Sequence, residues 1–317
     1  MRERLLAGID LGGTKASAVL ATAGGTQLAR AKEPVEGSSL ESTARQCAAL
    51  LERVMAQASV RKEDISGIGV CVPGIFSAAT GNAWAPNLWG WDEVPLKPAL
   101  DAALPAPVFI DSDRSAYVLG EQWLGAAQGL TDVVFLAVGT GIGAGILTSG
   151  RLCRGAAGIA GAVGWFALDT GWKDSYARTG CFEAEAAGPA VGRRAEERLA
   201  SGEHSLMREI AGGGPVSAEQ VAAAARKGDA LALSVIEDTA TFLAMGIANL
   251  VSVLNPQMVV LGGGLMQAGD LLLEPVRRLF PLWAQPIAAR QVRIELSRLG
   301  EDAGLLGAAR LPLAAQI

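Results

Sequence analysis

The stretch Ala7-Gly8-Ile9-Asp10-Leu11-Gly12-Gly13-Thr14-Lys15 constrains the fold most, because an apolar run meets an acid and then two adjacent glycines. Apolar residues resume at Ala18-Val19-Leu20, so the pattern predicts strand, tight turn, strand. Without side chains, Gly12 and Gly13 let backbone N–H groups approach an anion, while Thr14 offers a hydroxyl and Lys15 a charge. Gly-Gly is equally an ordinary hairpin turn. What tips the balance is repetition. The apolar run Asp132 to Val138 breaks at Gly139-Thr140-Gly141-Ile142-Gly143-Ala144-Gly145 and resumes with Ile146-Leu147, and Val259-Val260-Leu261 runs into Gly262-Gly263-Gly264. Gly139, Gly141 and Ala144 also fit a dinucleotide fingerprint, but that reading needs a following helix and an acid about twenty residues on. Another turn, Ser149-Gly150, follows instead, and the next acid is Asp169.

At 317 residues the chain has room for two domains, each with its own core. Half of it is apolar and 19% is charged, the balance of a globular protein. A net charge of -5 without a basic block removes the footprint of a nucleic-acid binder. No unbroken apolar run reaches the roughly eighteen residues that span a membrane. Met1-Arg2-Glu3-Arg4 leads into a strand too short for a signal-peptide core, so a cytoplasmic location is expected. Cys47, Cys71, Cys153 and Cys181 are widely spaced, which speaks against a disulfide framework or zinc ribbon. The single histidine, His204, lies in a polar surface stretch.

Periodicity places a third strand at 27–32, a helix at 40–58, a buried strand at 67–72 closed by Pro73-Gly74, a helix at 97–104, a strand at 108–111 and a helix at 115–126. Strand, hairpin, helix, strand is an α/β beginning. Residues 75–95 follow neither period and read as a functional loop, in which Asn87, Trp89 and Trp91 line a ligand cleft or cover core edges. Further helices are expected at 183–199, after Ser217 with Gln220 as a capping box, at 229–254 and at 265–280, with a strand at 292–296 and a closing helix at 303–313. In the 229–254 helix, Val235, Phe242, Gly246, Leu250 and Val253 form the apolar face, and Gly246 marks a close approach.

Three glycine turns leaving buried strands, with acids at another strand end, resemble the actin-like ATPase and sugar-kinase superfamily, and in detail its ROK branch of bacterial sugar kinases. Asp10-Leu11-Gly12-Gly13-Thr14-Lys15 is similar to the first phosphate motif, Gly139-Thr140-Gly141-Ile142-Gly143 to the second, and Leu261-Gly262-Gly263-Gly264-Leu265 to the adenosine motif. Val72-Pro73-Gly74, Pro86-Asn87-Leu88 and Trp91 match that family's early loops, and Asp111-Ser112-Asp113 stands where its catalytic N-D segment stands. The resemblance implies a two-lobed, ribonuclease H-like α/β fold with mixed sheets. It implies a small domain over 1–118, rejoined by the helix at 303–317, and a large domain over 119–302. It also implies ATP-dependent phosphorylation of a hexose or hexose derivative. Asp113 would be the general base, with helix capping as its alternative role. Asp10 would face Mg²⁺ through water. Gly12, Gly13, Thr14, Lys15, Gly139, Thr140, Gly141 and Gly143 would hold phosphates, and Gly262, Gly263 and Gly264 would abut the adenosine. Gly74, Asn87, Ser112, Asp113 and Glu183 would meet the sugar. Relatives are often homodimers. The family's repressors carry a DNA-binding module ahead of the first turn, where this chain has seven residues before Gly8.

The likeness breaks at the family's G-E-x-G-H run, which reads Gly161-Ala162-Val163-Gly164-Trp165 here, and at its cysteine cluster, of which only Gly180-Cys181-Phe182-Glu183 remains. One thiolate cannot build a four-coordinate site, so no structural zinc is expected and Cys181 reads as a packed thiol. Trp165 either stacks on the substrate or fills the volume left by the zinc lobe. With Ala162, Trp165 and Ser112 in these places the acceptor need not be glucose, and a sugar-binding sensor of the same fold without turnover is the alternative function.

Overall fold

In this computed structural model residues 4–35, 39–85, 88 and 90–315 are described. The first half of the chain forms β1 (Leu5–Leu11), β2 (Lys15–Thr22), β3 (Gln27–Pro34), α1 (Leu40–Ala58), β4 (Ile65–Val72), β5 (Ile75–Phe76), β6 (Ala83–Ala85), β7 (Trp91–Val94), α2 (Leu96–Ala103), β8 (Val108–Ser112) and α3 (Asp113–Leu124). Then come β9 (Val133–Val138), β10 (Ile142–Thr148), β11 (Arg151–Leu152), α4 (Tyr176–Thr179), α5 (Cys181–Ala186), α6 (Gly188–Ala200), α7 (Met207–Ile210) and α8 (Ala218–Arg226). The last elements are α9 (Ala230–Leu254), β12 (Met258–Gly262), α10 (Gly269–Leu279), α11 (Pro286–Gln291), β13 (Arg293–Leu296) and α12 (Asp302–Ala314). Contacts divide the chain into one unit of Met1–Thr131, Gly145–Ala160 and Arg298–Ile317, and a second of Asp132–Ala144 and Gly161–Ser297.

The first unit is built on the sheet β3-β2-β1-β4-β8. Its first three strands run antiparallel, while β1, β4 and β8 are parallel. Both faces of β1 are covered, so its side chains split by parity. Ala7, Ile9 and Leu11 join the core under α1 and α2, whereas Leu6 joins Trp123, Leu305 and Ala309 from α3 and α12. Asp10 shares the parity of Leu6 and faces the α3 and α12 side. Helix α12 lies directly on sheet backbone: a Cβ on Gly69 would stand 1.7 Å from the Ala308 carbonyl oxygen, and one on Gly8 would stand 2.5 Å from the Ala309 nitrogen. A domain boundary at 118 would cut α3, whose length packs against α12, and the division falls after Thr131 instead. Helix α1 keeps the bounds its periodicity predicts because Ser39 and Ser42 close a reciprocal cap at its start and Ser59 turns left-handed at its end.

Within the stretch 75–95, expected as a loop, β5, β6 and β7 pair antiparallel in a small sheet. Strands of two to four residues are too short to display an alternation. Trp91 is buried there, while Asn87 and Trp89 lie outside the described residues.

In the second unit β9, β12 and β13 are parallel, with the start of β10 beside β9. The core helix α9 is long and apolar enough to cross a membrane by length and composition, yet Leu231, Val235, Ile236, Leu243, Ile247 and Leu250 are buried inside the unit. Gly246 meets the Phe182 ring, where a Cβ would come within 2.4 Å. Val253, expected on the apolar face, is 80% exposed. The helix expected over 183–199 is two, α5 and α6, because Pro189 lacks the N–H that a continuous helix would donate to the Glu185 carbonyl, and the chain turns extended at Ala187 between them. The helix expected over 265–280 opens as a 3-10 stretch, Gly264–Ala268, before α10. Ser217 and Gln220 form the capping box the sequence announces, and His204 is exposed.

Candidate active site

In the first unit three parallel strands bring Asp10, Cys71 and Asp111 into one row near their carboxyl ends, through the register Asp10↔Cys71 and Cys71↔Asp111. The crevice outside such strand ends is where α/β sheets take ligands. Asp113 begins α3 immediately beyond the row. The helix cap is Ser112, whose hydroxyl accepts the Ser115 N–H at 3.3 Å, so capping does not occupy the Asp113 carboxylate. That carboxylate takes the Arg114 N–H at 2.7 Å and faces the Tyr117 hydroxyl at 3.5 Å. Burial pushes Asp113 up to about 6, with the charge of Asp10 adding to the effect and the Arg114 charge and N–H and the Tyr117 hydroxyl opposing it. Asp10 is also raised by burial, against a hydrogen bond from Cys71 and the charge of Lys32. Asp111 is engaged: it accepts the Ser112 N–H at 2.8 Å and Arg154 Nε at 2.7 Å.

The first glycine turn is closed by the Gly12 N–H on the Lys15 carbonyl at 2.9 Å, which commits that amide. Gly13, Thr14 and Lys15 are exposed at the turn. Gly74 adopts φ +153°, and a Cβ there would lie 2.2 Å from the Trp84 carbonyl oxygen, so close packing against β6 explains this glycine.

The second unit holds a pocket of about 710 Å³. Its floor is Gly139, Thr140, Gly264 and Leu265, and its walls come from the starts of α6 and α8, including Gly188, Arg193 and Ser217. The second turn is shorter than expected. Gly143 lies within β10, and the turn is Gly139–Gly141, closed by the Gly139 N–H on the Gly141 carbonyl at 2.9 Å. Of the three glycines that end β12 and follow it, Gly262 packs on Phe135, Gly263 supplies φ +90° with Val138 backbone behind it, and only Gly264 lines the pocket. Arg226 closes the far side by pairing with Asp270 at 2.7 and 2.8 Å and donating to the Gln267 carbonyl. The Gly212–Pro215 run with Ser217 announces the start of α8 and Gly188-Pro189 marks that of α6, but nothing in the sequence assigns the two helices to the walls of this pocket.

Glu183 reaches this second turn: its Oε2 accepts the Ile142 N–H at 2.7 Å, and burial raises it against that bond. Trp165 is 58% exposed, so it does not fill a vacated volume. Its short 3-10 turn leaves the backbone, not the indole, against α5. For a structural zinc the residues do not fit. Among the described residues no group of three or more His, Cys, Asp or Glu is placed to hold a metal, and the Cys181 sulfur is packed and accepts the Leu168 N–H at 3.4 Å.

A family model described as ROK family matches residues 6–315. A glucokinase of Halalkalibacterium halodurans is 33% identical over 313 residues, 97% of this chain and 94% of that one. A putative xylose repressor of Caldicellulosiruptor sp. is 33% identical over 96% of this chain and 76% of its own length. Among solved structures, a ROK family glucokinase from Streptomyces griseus in complex with glucose and AMPPNP aligns with TM-score 0.76 and 28% identity, covering 99% of this chain and 100% of that one. The mixed α/β fold is thus the actin-like ATPase fold of these kinases.

Proposed function

The chain belongs to the ROK family, and we propose that it is an ATP-dependent kinase acting on a hexose or hexose derivative such as an N-acetylhexosamine. The observation that carries this reading is the half-buried Asp113 at the end of the Asp10–Cys71–Asp111 row, a carboxyl held near 6 and therefore a base at neutral pH. A sugar hydroxyl is a poor nucleophile. Asp113 takes its proton as it attacks the γ-phosphate, and the phosphoryl group passes to the sugar oxygen. Gly139, Thr140 and Gly264 hold the nucleotide, while the amides of Gly13 and Thr14 with Lys15 meet phosphate oxygens. Asp10 would hold hydrated Mg²⁺, which would neutralise phosphate charge. Glu183 and Ser112 take sugar hydroxyls, and the exposed indole of Trp165 offers a stacking face. A cytoplasmic location and a homodimeric assembly belong to the same reading.

Relatives named glucokinase, together with the structure carrying glucose and an ATP analogue, support it. A second reading, a sugar-binding sensor without turnover, is favoured by relatives named xylose repressor and by Ala162 and Trp165. ADP release measured over a panel of hexoses and N-acylhexosamines separates the two: sugar-dependent release supports the kinase, and tight sugar binding without release supports the sensor.

A further inference from the structure

Glu185 is a carboxylate only 3% exposed that phosphoryl transfer does not use. It lies on α5 two residues from Glu183, on a different face of the helix. Its Oε1 accepts the Tyr176 hydroxyl at 2.6 Å and Lys173 Nζ at 2.6 Å, while Oε2 accepts from Arg194 at 3.3 Å. Arg194 also donates to the Glu185 carbonyl at 2.7 Å, and Arg193 to the Ala184 carbonyl at 2.6 Å. Two of the donors to the carboxylate come from the segment ahead of α5 and one from α6 behind it. Around this centre, Lys173 lies over the Tyr176 ring and Trp172 meets that ring edge-on. Tyr176, Cys181 and Ala184 form a small apolar cluster over the bond. At the segment's other end Phe166 stacks on Phe182 and accepts its N–H.

We infer that Glu185 is a positioning residue, an ionic clasp that binds segment 166–180 to α5 and α6 and so fixes Glu183 and Trp165, the job that the family resemblance gives to a zinc cluster of which this chain keeps one thiolate, Cys181. A buried carboxylate stays only where donors satisfy both oxygens, and here they do. Burial works against its charge, yet the hydrogen bonds from Lys173 and Tyr176 and the charges of Lys173 and Arg194 outweigh it, leaving Glu185 below its ordinary value. Removing a donor frees the segment without touching a group that meets substrate. The consequence for the sugar rests on the kinase reading above; the clasp itself does not.

Glu185→Gln keeps the shape and loses the charge, and Tyr176→Phe removes one donor more gently, covering the case in which the first variant folds poorly. Limited trypsin digestion reads cleavage after Lys173 and Arg178, in the full chain, with and without EDTA. The clasp predicts cleavage about tenfold faster in both variants and a wild-type rate indifferent to EDTA. In steady state it predicts a sugar KM raised about fivefold or more, with kcat and the KM for ATP within about twofold. Wild-type cleavage rates in both variants, or faster cleavage of the wild type on adding EDTA alone, overturn the clasp. An unchanged sugar KM in variants that are cleaved faster overturns the positioning role. A wild type that turns over no sugar overturns the kinase reading instead, and the protease rates then decide the clasp.

Discussion

The Cys71 thiol donates to Oδ1 of Asp10 at 3.2 Å from the neighbouring parallel strand, and its second acceptor is the Gly304 carbonyl of α12 at 3.7 Å. The cysteine therefore ties the proposed Mg²⁺-facing acid to the helix that covers the sheet. Burial, with the negative charge of Asp10, pushes this thiol well above its ordinary value, and burial pushes Cys47 up to about 12. Both should be inert to a thiol reagent in the folded protein. With Ellman's reagent at pH 8, the half-buried Cys153 reacts first, and Cys47 and Cys71 react only on unfolding. Rapid modification of Cys71 in the native state would contradict the buried row.

The raised Asp113 links activity and stability in opposite directions. As a base it must be ionised, so kcat/KM falls as pH drops through about 6. For stability the sign is that of an acid whose folded value lies above its unfolded 3.8. The native state holds more protons between those values, so the unfolding free energy decreases as pH rises from about 4 to about 6. The shift corresponds to about 3 kcal/mol at neutral pH. Asp113→Asn should therefore be more stable than wild type in urea at pH 7.5 and lose the pH slope.

Glycine 264 and glycine 69 should separate binding from folding. A Cβ on Gly264 meets nothing within 4 Å, while one on Gly69 meets the Ala308 backbone. Gly264→Ala leaves the urea midpoint within about 0.5 kcal/mol of wild type and raises the KM for ATP. Gly69→Ala lifts α12 and costs about 3 kcal/mol or more. Equal effects of the two on stability would argue against this placement of α12.

Glu121 gives a further test of the first unit. Fully buried, it accepts the N–H groups of Ala126 at 2.6 Å and Leu299 at 2.9 Å, joining the end of α3 to the chain ahead of α12. Glu121→Ala leaves those amides without their acceptor and should lower the unfolding free energy by about 3 kcal/mol.

Several of these relationships are readable in the sequence, and the reason is local. Strands ending in glycine turns declare themselves because burial forces apolar runs and the turns need residues without a Cβ. The bounds of α1 follow from periodicity, and the Ser39 cap agrees with them. What long-range packing decides is not readable. No local signal says that Ser112 rather than Asp113 caps α3, that Gly143 belongs to a strand, or that Gly262 backs onto Phe135 while Gly264 faces the pocket. Trp165 reads as filler or as platform until its exposure is known. The clasp at Glu185 draws donors from positions 173, 176 and 194, a combination without a sequence period.

The most direct test uses Asp113→Asn, with sugar binding by calorimetry and phosphoryl transfer measured on one preparation. The variant should bind the sugar within about threefold of wild type while kcat falls about a thousandfold, within the range expected for loss of a general base. Turnover equal to wild type would contradict Asp113 as the base and with it the proposed mechanism.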